Sequence, residues 1–273
     1  MIQVDNETQP GVCTLRLDRP EKRNALNAEV ARALTAAIQA ADGESGTKVI
    51  VLTGTGNTFS AGADLAALQR LATASFEDNL EDSRTLAGLF EAVYQADTPV
   101  VARVNGHAIA GGCGLAAVCD FVVTEPRSKF GFTEVRIGFV PAIISVYLLE
   151  RFPESTVRGP FLTGAVFNAE EAHRLGLVTH LAPSGGLDET LEALVTSLGR
   201  ETASSAVAAT KRLLRSRHAT KHAGRLEDAI RLNAEARGTE DCRAGVAAFL
   251  AKRPFPWASE WDAGRDSPNS STQ

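Results

Sequence analysis

The run Val104-Asn105-Gly106-His107-Ala108-Ile109-Ala110-Gly111-Gly112-Cys113-Gly114-Leu115 joins an apolar, strand-like stretch over 99–105 to a helix-like segment over 115–118. A strand that ends in small residues just before a helix leaves backbone N–H groups unpaired at the positive end of the helix dipole. Glycine and alanine let a ligand come close to those amides. A phosphate, a carboxylate or a developing oxyanion suits such a spot. The pattern occurs twice. Lys48-Val-Ile-Val-Leu-Thr53 leads through Gly54-Thr-Gly56 to Phe59-Ser-Ala-Gly-Ala-Asp-Leu65. If both turns end neighbouring strands of one sheet, their amides converge on one oxygen. Such an oxyanion hole contributes roughly 3–4 kcal/mol per donor to a developing negative charge. The other reading is a pair of helix-capping turns whose glycines serve only packing.

A carbonyl polarised in this way needs a partner that moves protons. Glu134, in Phe130-Gly-Phe-Thr-Glu134-Val, is expected at a strand end with apolar neighbours on both sides. Apolar surroundings push a carboxyl's pKa up, toward the range useful for acid and base work near neutrality. The competing assignment is an ion pair with Arg136 or Arg127. His107 is read as a hydrogen-bonded residue of a buried turn, and no second His or Cys joins it at metal-ligand spacing. Ser60 lacks the Gly-x-Ser-x-Gly setting of a hydrolase nucleophile. Asp120 is expected to tie down the turn before its strand.

The elements that must position these groups follow from periodicity. Strands are expected over 12–18, 48–53, 99–105, 120–124, 129–131 and 177–181. Asn27 is a candidate N-cap for a helix to Ala41, with Val30, Leu34, Ile38 and Ala41 on one face. Irregular, flexible helices over a cleft are expected for 66–83, and a regular helix over 84–96. Pro141 opens an apolar helix to Arg151, and 169–176 is a further helix. Beyond Leu187 strand signals stop, and helices are expected over 187–198, 203–216, 226–237 and 241–252. This pattern divides the chain into an α/β core, 1–198, and an all-helical segment, 199–273, with a polar, disordered tail. No repeat is strong enough to indicate a solenoid.

Composition narrows the function. The net charge of −5 argues against broad binding to nucleic acid or anionic membrane. No apolar stretch approaches the roughly 20 residues that span a bilayer. The N-terminus shows no signal-peptide pattern. Cys13, Cys113, Cys119 and Cys242 have neither CxxC nor zinc-type spacing. A soluble cytoplasmic protein with reduced thiols and no bound metal is expected.

Taken together, several segments resemble the enoyl-CoA hydratase/isomerase (crotonase) superfamily. They are Arg19-Pro-Glu-Lys-Arg-Asn-Ala-Leu26, Phe59–Leu65, Asn105–Leu115, Cys119-Asp120, Glu134-Val-Arg-Ile-Gly-Phe-Val-Pro141 and Ala172-His-Arg-Leu-Gly-Leu-Val178, in the family's order. The resemblance implies a spiral of ββα units, a C-terminal helical trimerisation domain and a homotrimer or a hexamer built as a dimer of trimers. It implies an oxyanion hole from the N–H groups of Ala63 and Gly111, with Glu134 as acid and base. Arg23 and Ala25 would line the coenzyme A path, with Ala61, Asp64, Leu65, Gly112 and Gly114 near the pantetheine and thioester. Lys252, near the C-terminus, would complete the nucleotide site of a neighbouring subunit. Coenzyme A then belongs to the substrate, and no separate cofactor is implied.

The two-glutamate hydratases of this superfamily place one carboxylate where this sequence has Gly114, so only Glu134 is retained. The single-glutamate pattern also occurs among the isomerases. Glu134-Val-Arg-Ile-Gly followed by Pro141-Ala-Ile-Ile-Ser145 resembles the branch of hydratases acting on branched acyl-CoAs such as 3-methylglutaconyl-CoA. The expectation is therefore a hydro-lyase acting on a 2-enoyl-CoA. Its rivals are an isomerase, a non-catalytic acyl-CoA-binding protein and, against the acidic charge, an RNA-binding protein.

Overall fold

The computed structural model describes residues 1–71 and 73–258. In chain order the strands are β1 (Ile2–Asp5), β2 (Val12–Leu17), β3 (Val49–Gly54), β4 (Thr58–Ser60), β5 (Val100–Val104), β6 (His107–Ile109), β7 (Phe121–Thr124), β8 (Lys129–Gly131), β9 (Phe167–Asn168) and β10 (His180–Leu181). The helices are α1 (Ala28–Gly43), α2 (Leu65–Leu71), α3 (Phe76–Gln95), α4 (Gly111–Val118), α5 (Ala142–Arg151), α6 (Glu154–Thr163), α7 (Ala169–Arg174), α8 (Leu187–Arg200), α9 (Ser204–Ser216), α10 (Ala219–Arg237) and α11 (Glu240–Leu250).

One movement of the chain is made three times. A strand of a larger sheet passes to a short strand of a smaller sheet and then to a helix: β3 to β4 and α2, β5 to β6 and α4, β7 to β8 and α5. Successive turns stack in parallel, β3 beside β5 beside β7 and β4 beside β6 beside β8. This is the expected spiral of ββα units in the α/β class. It brings the ends of β4 and β6 side by side, and with them the two small-residue turns.

The larger sheet is buried on both faces at β3, which explains the unbroken apolar run of that strand. Alternate side chains point to opposite faces of a strand. Ile50 and Leu52 accordingly join Leu34, Ile38 and Phe90 in the main core, whereas Val49 and Val51 join Val101 and Val123 under Leu187 and Val195 of α8. Each such side chain contributes roughly 1.5–3 kcal/mol by leaving water. α1 begins where expected, with the Asn27 side chain accepting from the Val30 N–H at 2.8 Å.

Elsewhere the elements differ from expectation for identifiable reasons. α3 starts at Phe76, not at residue 84, capped by Ser75, which accepts from the Asp78 N–H. The inward residues of its first half, Asn79 and Ser83, are polar, so no apolar stripe announces them. α6 holds Gly159 and Pro160 and was not expected at all. β6 lies inside what the sequence presents as a turn, and His107 upon it is exposed. β10 keeps only the last two residues of the strand expected over 177–181.

The C-terminal helices fold back on the spiral. Ala229 and Ile230 of α10 belong to the main core. α10 is fastened to α3 and α5 by His222, whose Nε2 lies 3.0 Å from Glu91 Oε2 and whose Nδ1 lies 3.0 Å from Glu150 Oε1. The ring stacks on Tyr94, and the hydroxyls of Tyr147 and Tyr94 donate to Glu91 and Glu150. Hydrogen bonding to Glu91, reinforced by Glu150, outweighs burial and pushes the His222 pKa up to about 9. Because the folded value exceeds that of a free imidazole, this stabilisation is complete below about pH 6.5 and is lost as the pH rises through about 9. Thermal unfolding is therefore expected at a lower temperature near pH 10 than near pH 7. His222→Gln should flatten that dependence and cost about 3 kcal/mol at neutral pH, because it leaves two carboxylates without their cation.

Candidate active site

The two turns meet edge to edge. Gly62 has φ +85°, and a Cβ there would lie 2.8 Å from Ile109 O, 2.9 Å from Ala110 Cβ and 3.4 Å from Gly111 N. Only glycine permits both the conformation and the approach. Leu26 straps the first turn: its N–H donates to Gly62 O at 2.7 Å, and its carbonyl accepts from the Asp64 N–H at 2.8 Å. The N–H of Ala63 between them has no backbone acceptor among the described residues. Gly111 opens α4, where the helix itself offers its N–H no acceptor. Ala110 before it sits at φ 49°, ψ −125°, held by its N–H to Gly131 O at 2.7 Å. A non-glycine residue held there costs on the order of 1–3 kcal/mol, strain that fixes the direction of the following amide.

Ala63, Gly111 and Glu134 line one cavity of about 510 Å³. Most of its remaining wall is apolar and includes Leu26, Ala67, Leu86, Phe90, Ile143 and Phe255. Glu134 begins a 3₁₀ turn, Glu134–Ile137, and so does not stand at a strand end as the sequence suggested. It is 8% exposed, and its Oε2 is buried with no hydrogen-bond partner. Neither arginine proposed as an ion-pair partner takes that place: Arg127 pairs with Glu125 at 2.6 Å, and no salt bridge joins Arg136 to Glu134. Burial pushes the Glu134 pKa up to about 7, only partly opposed by a backbone hydrogen bond. The turn that carries it rests on α11, where a Cβ at Gly138 would lie 2.6 Å from the Asp241 carbonyl and one at Gly245 2.5 Å from Ile137 O.

Comparison with known proteins places this chain in a family. The enoyl-CoA hydratase/isomerase profile matches residues 7–260. The chain belongs to the enoyl-CoA hydratase/isomerase family. It is 42% identical over 258 residues to a Thermus thermophilus homologue, covering 93% of this chain and 99% of that protein. It is 32% identical over 257 residues to the 2,3-dehydroadipyl-CoA hydratase of Escherichia coli, covering 93% and 97%. The crystal structure of an enoyl-CoA hydratase from Mycobacterium avium superposes with a TM-score of 0.83 at 34% identity, covering 94% of this chain and 98% of that one.

Of the eight further residues that the family resemblance implies for acyl-CoA, Arg23 and Ala25 belong to the coenzyme A path and Lys252 to a neighbouring subunit's site, and none of the eight lines this cavity. Three are placed in packing roles. Asp64 is buried: its Oδ2 accepts from Arg19 at 2.8 Å and lies 3.4 Å from Lys22, while its Oδ1 accepts from the Ala66 N–H. Burial opposes its ionisation, but these partners outweigh it and hold the carboxyl below the usual range. Gly112 lies against Ser60, where a Cβ would meet the Ser60 carbonyl oxygen at 2.4 Å. At Gly114 a Cβ would stand 3.1 Å from Ile144 Cγ1. Ala25 is buried, and its carbonyl accepts from Arg19. Arg23, Leu65 and Lys252 are exposed and Ala61 is half-buried, all outside the acyl cavity.

The Ile144 contact explains the missing second carboxylate of this enoyl-CoA hydratase/isomerase in packing terms. Gly114→Glu should destabilise the chain by about 1–3 kcal/mol through overpacking. Adding Ile144→Ala should recover most of that loss in a chemical-denaturation measurement. Equal stability of Gly114→Glu and the parent would contradict the contact.

Sequence reasoning missed three polar residues of the cavity wall: Asp82, Asn233 and Arg237. Asn233 and Arg237 sit on a helix that sequence reasoning assigned to oligomerisation, so nothing local marked them. It also missed Asn24, whose side chain accepts from the Arg19 N–H and donates to Thr55 O and Thr58 O, fastening the Arg19–Leu26 strap. Among the described residues, no cluster of three His, Cys, Asp or Glu side chains could hold a metal ion. No described helix is long and apolar enough to cross a membrane.

Proposed function

We propose that this chain is an enoyl-CoA hydratase that adds water across the C2=C3 bond of a 2-enoyl-CoA thioester. The observation that carries the reading is the sharing of one apolar cavity by two amides without an acceptor among the described residues, Ala63 and Gly111, and a buried glutamate of pKa about 7. The thioester oxygen accepts hydrogen bonds from both amides, which draws electron density from C3. Glu134 as carboxylate takes a proton from water while the oxygen bonds to C3 and the double-bond electrons move to the thioester oxygen. The enolate then collapses, and Glu134 returns that proton to C2. One water is consumed and the glutamate is regenerated. Because a single carboxyl handles the proton at both steps, hydroxyl and proton arrive on the same face of the alkene.

In this reading coenzyme A is part of the substrate, no further cofactor is used, and the protein works in the cytoplasm. The assembly would be a homotrimer, or a hexamer formed as a dimer of trimers. Leu213 and Leu214 of α9, 71% and 69% exposed, supply an apolar surface for subunit contacts.

The apolar packing around Gly114 supports a second reading. Without a second carboxylate, the same hole and glutamate would isomerise a 3-enoyl-CoA by carrying a proton from C2 to C4. Absorbance of the conjugated thioester separates the two readings. A hydratase bleaches crotonyl-CoA, whereas an isomerase leaves it intact and generates absorbance from a 3-enoyl-CoA. Failure of crotonyl-CoA and a panel of longer 2-enoyl-CoAs to react would overturn the hydratase reading.

A further inference from the structure

Arg237 is out of keeping with the wall it belongs to. It is 8% exposed, in a cavity otherwise dominated by leucine, isoleucine, phenylalanine and alanine. Burying a guanidinium is costly unless its donors find partners. Here Nη1 alone is engaged, to Asp82 Oδ2 at 2.7 Å and to Asn79 O at 3.5 Å. Nε and Nη2 have no hydrogen-bond partner among the described residues, yet they are not sealed off from all solvent-accessible space. Arg237 lines the large cavity and also a much smaller one beside Phe139 and Val246, and only the large one has room for an acyl chain. The guanidinium is also fixed in direction, 5.3 Å over the Phe139 ring, while Asp82 holds Nη1. A planar fork restrained on one side presents its other donors as a ready carboxylate site.

The charge of the cavity points the same way. Arg237 is the buried guanidinium of this wall, beside one carboxylate held in an ion pair, Asp82, while Arg136, which also lines the cavity, is exposed. Arg136 has no ion-pair partner among the described residues. Glu134, with its raised pKa, is largely neutral at slightly acidic pH and only partly ionised at neutrality. An all-hydrocarbon acyl tail would leave the free donors of Arg237 facing apolar carbon. A tail ending in an anion would satisfy them.

We infer that the acyl group this cavity takes carries a second carboxylate at its far end, bound by Arg237, so that the substrate is the monothioester of an unsaturated dicarboxylic acid. The inference rests on the hydratase reading only in taking this cavity as the acyl site, and it is tested without turnover. Glutaryl-, adipyl- and pimelyl-CoA lack the reacting double bond and match pentanoyl-, hexanoyl- and heptanoyl-CoA in chain length. Their dissociation constants for the full-length protein are measured by isothermal titration calorimetry. At least one dicarboxylic thioester is expected to bind about tenfold or more tightly than its monocarboxylic counterpart. Arg237→Met should bring that ratio close to one while leaving hexanoyl-CoA binding within a few-fold, and Arg237→Lys should restore part of it. Should the methionine variant not fold, because Asp82 loses its partner, the double variant Arg237→Met, Asp82→Asn replaces it, and the wild-type ratio decides independently.

No preference for any dicarboxylic thioester in the wild type would overturn the inference, and so would a preference that survives Arg237→Met. A protein that hydrates hex-2-enoyl-CoA but shows no such preference retains the hydratase reading and loses this one. A protein that shows the preference but hydrates nothing loses the hydratase reading and retains this one.

Discussion

Glu134→Gln is expected to lower the turnover of a 2-enoyl-CoA by about a thousandfold or more, with acyl-CoA affinity nearly unchanged. Glutamine keeps the size and polarity of the side chain but can neither take a proton from water nor give one to carbon. The buried Oε2 has no protein partner, so the substitution breaks no existing hydrogen bond at that atom, and the fold should persist. The pH profile supplies a second readout. Burial places the Glu134 pKa about 7, and the carboxylate is the form that activates water. In the wild type kcat/KM should therefore fall about tenfold for each pH unit below that value. The residual activity of the glutamine variant should lack that limb. Turnover unchanged in the variant, or an acid limb that survives the substitution, would remove Glu134 from the mechanism.

Gly62→Ala is expected to lower turnover by about a hundredfold or more without altering an acid, a base or any residue that lines the cavity. Its φ of +85° is unsuited to alanine, and the added methyl would sit 2.8 Å from Ile109 O. Relief requires the two turns to separate, which moves the Ala63 amide away from that of Gly111. A cost of about 1–3 kcal/mol in stability should accompany the change. Gly88→Ala is the matched control, because it lies within α3 where a Cβ meets nothing within 4 Å. There alanine should leave turnover unchanged and stabilise by about 0.5–1 kcal/mol. If Gly62→Ala kept wild-type turnover, the juxtaposed turns would be packing devices, the alternative their glycine content permits.

Much of this arrangement was legible in the chain, and for definite reasons. The strand–turn–helix signature of residues 48–65 and 99–118 marked both amides, because small residues at a strand end leave few structural alternatives. β3 was legible because burial on both faces gives an unbroken apolar run. What was hidden obeys a different logic. The first half of α3 turns Asn79 and Ser83 inward to meet α10, so the burial it shares leaves no hydrophobic period. β6 has three residues, too few to show any period. Arg237 approaches the cavity from a helix more than a hundred residues after Gly111, a relation that only the folded chain expresses. Family likeness pointed to Ala63, Gly111 and Glu134, which line one cavity, and to Asp64, Gly112 and Gly114, whose neighbours in space are Arg19, Ser60 and Ile144.

The proposed chemistry comes down to one event, the bonding of a water oxygen to C3 while the thioester carbonyl is held by two backbone amides. Incubation of the purified chain with crotonyl-CoA in water enriched in heavy oxygen, followed by mass spectrometry of the thioester, reports that event directly. The account predicts 3-hydroxybutyryl-CoA carrying one heavy oxygen, formed by the wild type and nearly absent with Glu134→Gln. Crotonyl-CoA recovered unchanged, or label incorporated equally by the two proteins, would contradict it.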